Sequence, residues 1–237
     1  MESSISLALA AQVALRRRMD VVANNLANAG TAGFKLEAQI VQPQPQPSGE
    51  SEVDYPLDRG TYTDLRPGPI TLTGNPLDVA VAGDEMLAVQ TPGGLRYTRD
   101  GRMTRAADGT LLGLSGHPVA AAGGGTVAVP EQTRAITIAG DGTVTADGEE
   151  LGQIGMFALP PGTGLRRQAD GLFTVDGIVE PAPEGRLQQG AIEQSNVQPI
   201  QELVDMMELQ RGYERVQRLL DGEDERIRKL VDNAVKA

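Results

Sequence analysis

Residues 20–37 read DVVANNLANAGTAGFKLE. An apolar helical stripe arrives here and ends among three amides, Asn24, Asn25 and Asn28, before the chain runs through Gly30 and Gly33 to Phe34 and Lys35. Asparagine is a mediocre helix former because its amide competes for nearby backbone groups. Three of them in five residues mark a helix end with work for its amides, and Gly30 is the expected left-handed C′ residue. Asn24 and Asn28 are four apart and share one helix face.

Upstream, Ile5, Ala8, Gln12, Leu15, Met19, Val22 and Leu26 recur at alternating spacings of three and four. Only Gln12 interrupts the apolar seam, and Ser3 or Ser4 is a candidate cap. Near the other end, Met206, Leu209, Tyr213, Val216, Leu220, Glu223, Ile227, Leu230 and Ala234 keep the same spacing. Pro199 suits a first helical turn, Ser195 or Asn196 is a candidate cap, and Gly222 marks a candidate bend. Neither stripe is a stable helix alone in water. The expected fold is therefore α+β, with long N- and C-terminal helices pairing as a coiled-coil-like domain.

The middle of the chain has another character. Residues 42–47 read QPQPQP, which forces extended backbone and removes donors, so a linker is expected there. Between residues 55 and 179 lie six Asp-Gly pairs, suited to hairpin turns, among short β-prone runs such as 77–81, 87–90, 126–129, 143–145 and 172–175. The pairs are dispersed and match no calcium-loop pattern, so they are read as turns. The expected division is residues 1–35 as N-terminal helix and signature loop, 36–56 as linker, 57–180 as a central β-rich domain, 181–196 as return linker and 197–237 as C-terminal helix.

Composition narrows the function. The net charge of −11 disfavours nucleic acid and anionic membranes. Arg16, Arg17 and Arg18 fan around the helix instead of forming one basic face. The chain has no cysteine, and its one histidine, His117, sits in a Gly- and Pro-flanked turn without evident metal partners. No nucleophile elbow, P-loop lysine or other catalytic constellation is recognisable, and Gly123–Gly125 lacks the strand-turn-helix context of a phosphate cradle. No catalytic residue, cofactor or metal site is expected, and the chain is read as not an enzyme. The segment 5–15 is apolar, but its basic residues follow it, the wrong polarity for a secretory signal. No run reaches the length of a membrane span. A secreted surface- or carbohydrate-binding β module is the rival class, although aromatics at 3% with no Trp provide little for a sugar-stacking groove.

Residues 23–35, ANNLANAGTAGFK, resemble the N-terminal signature of flagellar basal-body rod and hook proteins. Residues 73–81, TGNPLDVAV, followed by YTRDG at 97–101, are similar to the start of that family's central β domain. Residues 190–197, GAIEQSNV, followed by MMELQRGYE at 206–214, are similar to its C-terminal helix. The run DEML at 84–87 departs from the Gly-Phe-Phe-like run of relatives. Length and the single middle region most resemble the proximal-rod member, with the distal-rod member as the alternative.

The resemblance implies a structural axial subunit of the bacterial flagellar basal body. It would be exported unfolded by the flagellar type III export apparatus without a cleaved signal, and polymerise helically with itself and other rod proteins in the periplasm. Its terminal helices would mate in the rod and transmit torque from motor to hook. The implied subunit-interface residues are Asn24, Asn25, Asn28, Thr31, Gly33 and Phe34 of the signature; Leu15, Met19, Val22 and Leu26 of the first seam; and Ser195, Asn196, Met206, Leu209, Gln210, Tyr213, Val216 and Leu220 near the second. Phe34 is expected in a neighbouring subunit's pocket, and the termini are expected to order on assembly.

Overall fold

The computed structural model describes residues 2–48, 51–160, 163–168 and 170–236, with side chains described outside 2–4, 41–48, 51–59, 230–231 and 233–236. Two helices flank a long β region, so the fold is α+β. The chain divides into two compact units. The first comprises residues 1–27, 37–64 and 198–237, and the second residues 28–36 and 65–197. The signature loop thus groups with the β-rich unit, and the proline-rich segment groups with the helices.

In the first unit, α1 (Glu2–Ala27) and α2 (Pro199–Lys236) accompany a hairpin of β1 (Glu37–Ser48) and β2 (Ser51–Thr63). The QPQPQP run lies within β1. A strand alternates its N–H groups between its two edges, so Pro43, Pro45 and Pro47 place their missing donors on one edge. The other edge pairs with β2 from Glu37 opposite Thr63 to Ser48 opposite Ser51, with a register shift between Gln39 and Val41. Pairing with β2 converts the expected linker into a strand.

The helices run antiparallel. Gln12 donates to Gln217 at 2.6 Å, and Leu15 packs beside Gly212. They do not form the long coiled-coil pair that the spacing suggests. The helices have 26 and 38 residues, so much of α2 has no counterpart in α1. Of the described seam residues, Ala8, Val22 and Leu209 are buried, whereas Leu15, Met19, Leu26, Met206, Tyr213, Val216 and Leu220 are half-buried and Ile227 is exposed. A coiled coil needs a buried knob at every a and d position. Residues 221–229, DGEDERIRK, offer only Ile227. The Leu230 and Ala234 seam positions lie outside the described side chains. Helix α2 is continuous through Gly222, and its first turn closes from Glu202 N to Gln198 O, so neither Ser195 nor Asn196 caps it.

The second unit is built of short antiparallel strands: β3 (Ile70–Leu72), β4 (Val79–Val81), β5 (Met86–Thr91), β6 (Gly94–Thr98), β7 (Met103–Arg105), β8 (Leu111–Gly113), β9 (Ile136–Ile138), β10 (Thr143–Ala146), β11 (Glu149–Gln153), β12 (Met156–Ala158), β13 (Gly164–Arg167), β14 (Phe173–Asp176), β15 (Glu180–Pro181), β16 (Leu187–Gln189) and β17 (Ala191–Glu193). The largest sheet has the order β13-β14-β6-β5-β12-β15, a second is β11-β10-β9, and β16-β4, β17-β3 and β7-β8 pair separately. Strand β5 serves two cores because its side chains alternate faces. Leu87 joins Val79, Val81, Leu111, Val144 and Ile154, while Met86 and Ala88 join Tyr97, Phe157 and Phe173.

The Asp-Gly pairs make the turns. At Asp147-Gly148, between β10 and β11, both residues have positive φ, 50° and 91°, as a two-residue hairpin requires. In other pairs the carboxylate accepts from the amide two residues on: Asp108 from Thr110, Asp141 from Thr143 and Asp170 from Leu172. These bonds hold the Asp108 and Asp141 carboxyls below the ordinary carboxylate range.

Candidate assembly surface

The three asparagines part company. Asn25 is buried in the first unit, where its amide behaves like a strand neighbour of residue 37. It accepts from Glu37 N at 3.0 Å and donates to Glu37 O at 2.8 Å. It also donates to Glu202 Oε2 at 3.2 Å. Burial raises the Glu202 carboxyl above its ordinary value, with Asp205 adding to the rise, against lowering by the Asn25 bond and Arg18. Asn24 is exposed. Asn28 is half-buried, and its side-chain oxygen accepts from the Thr31 hydroxyl at 3.3 Å.

The helix ends at Ala27 and a turn follows, with Thr31 N donating to Asn28 O. Gly30 does not adopt the left-handed conformation; Gly33 does, at φ 69°. A Cβ on Gly33 would lie 2.3 Å from Asp100 N, so that position is closed to any larger residue. Gly33 N donates to Glu193 O, which docks the loop on the end of β17.

Next to it lies a buried ionic cluster. Lys35 Nζ is 2.5 Å from Glu193 Oε1 and 2.9 Å from Arg66 O. Arg99 Nε is 3.4 Å from Glu193 Oε2, and Gly68 N donates to Oε1 at 2.8 Å. Lys35, Glu193 and Arg99 are all nearly inaccessible to solvent. Burial pulls the Arg99 guanidinium down, while Glu193, Asp84 and Glu85 pull it back up. A buried charge is tolerated only when paired and hydrogen-bonded, and each member here depends on the others.

Phe34 is buried within its own chain. The Arg167 guanidinium lies 4.0 Å from its ring centroid and 4.9 Å from that of Phe173, and Arg167 also donates to Lys35 O. Ser195 accepts from Val197 N. Asn196 accepts from Leu36 N and donates to Arg66 O, pinning the loop a second time. Val22, Asn25, Gly33, Phe34, Ser195 and Leu209 are thus buried within the chain, whereas Asn24, Thr31 and Gln210 are exposed.

The open apolar positions lie elsewhere on the helices. Leu9 and Val13 of α1 are exposed, as are Ile200, Leu203, Val204 and Met207 of α2, spaced three, one and three apart as a single helical stripe. Ile200 is 80% exposed, a level that ordinary core packing does not leave. No described helix is long and apolar enough to span a membrane.

Comparison with known proteins gives three family matches along the chain. These are the flagella basal body rod protein model at residues 5–35, the flagellar hook protein FlgE/F/G D1 domain at 80–146, and the flagellar basal body rod FlgEFG protein C-terminal model at 188–233. The flagellar basal-body rod protein FlgF of Caulobacter vibrioides is 35% identical over all of this chain and 99% of its own length. FlgF of Mesorhizobium japonicum is 32% identical over 93% of this chain and 92% of its own length. FlgG of Buchnera aphidicola subsp. Schizaphis graminum is 30% identical over 90% of this chain and 92% of its own length.

Proposed function

The chain belongs to the family of flagellar basal-body rod proteins and is a structural subunit of the rod, and on that premise we propose that it polymerises through the apolar stripes its terminal helices leave open. Its place is the flagellar basal body, and it assembles with other rod proteins. The relatives are structural rod proteins, and the same role is proposed here in place of catalysis. The observation that carries the interface is the exposed row Ile200, Leu203, Val204 and Met207. Burying such side chains against a neighbour contributes about 25 cal/mol per Å² of apolar surface.

The half-buried seam residues Leu15, Met19, Leu26, Met206, Tyr213, Val216 and Leu220, with exposed Asn24, Thr31 and Gln210, complete the proposed contact surface. Export through the type III apparatus without a cleaved signal, residence in the periplasmic proximal segment, and torque transmission to the hook belong to this reading. The proximal assignment is favoured by the full-length match to FlgF over the shorter match to FlgG.

The test is recruitment. In cells lacking the native copy, a Leu203→Glu, Met207→Glu variant should reach the normal level and melt as the wild type does, yet be missing from isolated basal bodies, and the cells should not swim. Full recruitment of this variant would rule out the stripe as the interface.

A further inference from the structure

A subunit with net charge −11 must meet copies of itself against electrostatic repulsion. The charge along α2 is distributed in blocks. Glu202, Asp205 and Glu208 are followed by Arg211, Arg215 and Arg218, with Glu214 the one acid among them. Asp221, Glu223, Asp224 and Glu225 come next, and then Arg226, Arg228 and Lys229. Where the first acidic block gives way to the basic one, the two helices form a groove of about 480 Å³, lined by Arg18 of α1 and by Asp205, Glu208, Leu209, Arg211 and Arg215 of α2, three arginines against two carboxylates. Arg18, Arg211 and Arg215 are exposed. A bond from Arg215 Nε to Arg211 O holds the second of the α2 guanidiniums along the helix surface.

The acidic block is presented equally openly. Asp221, Asp224 and Glu225 are exposed. Glu223 pairs with Arg226 at 3.1 Å and Glu225 with Lys229 at 4.0 Å within the same helix, and Gln217 donates to Asp221. Asp221 and Asp224 lie outside those two ion pairs. The centres of the basic and acidic blocks are about ten residues apart, roughly 15 Å along a helix axis. One helix cannot fold back to bring them together.

We infer that the Arg18–Arg211–Arg215 groove receives the acidic block, residues 221–225, of α2 from a second copy of this chain. This rests on the rod-subunit reading and specifies the register of its self-contact. The two surfaces differ, so the contact is heterologous and propagates as an open array of parallel copies instead of closing a dimer. The same stagger brings the acidic block around Asp205 of one copy opposite the basic block of the next. Apolar stripes supply non-directional adhesion, and the charge blocks fix how far one helix slides along its neighbour.

The cysteine-free sequence permits a direct test. Arg215→Cys and Asp224→Cys copies of the full chain are co-expressed in cells lacking the native copy, oxidised, and basal bodies are isolated. The expected result is a disulfide-linked dimer of the two variants. Separately, R211E/R215E should lower recovery in basal bodies at least fivefold while leaving the melting curve in place. Adding D221R/D224R to the same chain should restore it. If wild-type chain is itself absent from basal bodies, the rod-subunit reading fails and this inference falls with it. If wild type and R211E/R215E are recovered equally and no R215C–D224C dimer forms, the inference alone is overturned. Capture of a different polypeptide by R215C in place of the second copy overturns it as well.

Discussion

Glu193 neutralises two buried cations at once, and all three side chains are shut away from the surface. Glu193→Ala should cost about 3–5 kcal/mol, because Lys35 and Arg99 stay buried and lose the carboxylate they share. Urea unfolding of purified chain measures that directly. The asparagines make a second residue-scale prediction. Asn25→Ala removes both hydrogen bonds to the backbone of residue 37 and should cost about 1–3 kcal/mol. Asn24→Ala, at an exposed position of α1, should reduce swimming while the purified chain still unfolds cooperatively, as expected of a residue that serves assembly. Glu202 supplies a pH dependence. Its folded value lies above its unfolded one, so the folded chain holds that proton more tightly. Its stabilising contribution is fully present below the ordinary carboxyl range and lost as pH rises through the raised value. As pH rises from that range, the melting temperature of wild type should fall progressively relative to that of Glu202→Gln.

At the scale of elements, both helices were legible from their spacing of three and four, and Pro199 marked the start of α2 correctly. The strands around 87–90, 143–145 and 172–175 were legible from β-prone runs between Asp-Gly turns. The helix-helix arrangement was not. Periodicity identifies an apolar face without saying how deeply a neighbour covers it. The second stripe, Ile200 to Met207, is masked in the sequence by the longer seam that shares α2 with it. QPQPQP reads as a linker until β2 is known to pair with it. The ionic cluster was equally hidden: Lys35 and Glu193 are 158 positions apart, and nothing local to either announces the other. Gly222 provides an element-scale prediction. It has open space around its Cβ position and ordinary helical φ, so Gly222→Ala should stabilise α2 by up to about 1 kcal/mol. Helical ellipticity on heating measures the gain.

For the whole molecule, the β-rich unit is discontinuous in sequence: residues 28–36 are fastened to residues 65–197 at Gly33, Lys35 and Leu36. A chain ending at residue 190 should therefore lose cooperative unfolding altogether, since it lacks Glu193 and the β17 partner of β3. A chain ending at residue 220 should keep the unit's transition near its full-length midpoint. Calorimetry of the two truncations distinguishes these outcomes.

The span between Lys35 and Glu193 also sets a clock. Any machine that delivers this polypeptide from its first residue onward, a ribosome or a narrow conduit, releases the lysine long before the glutamate. Until the late carboxylate emerges, the early ammonium has nothing to neutralise it away from water and stays hydrated. The ionic cluster of the β-rich unit therefore cannot be completed until most of the polypeptide has come through.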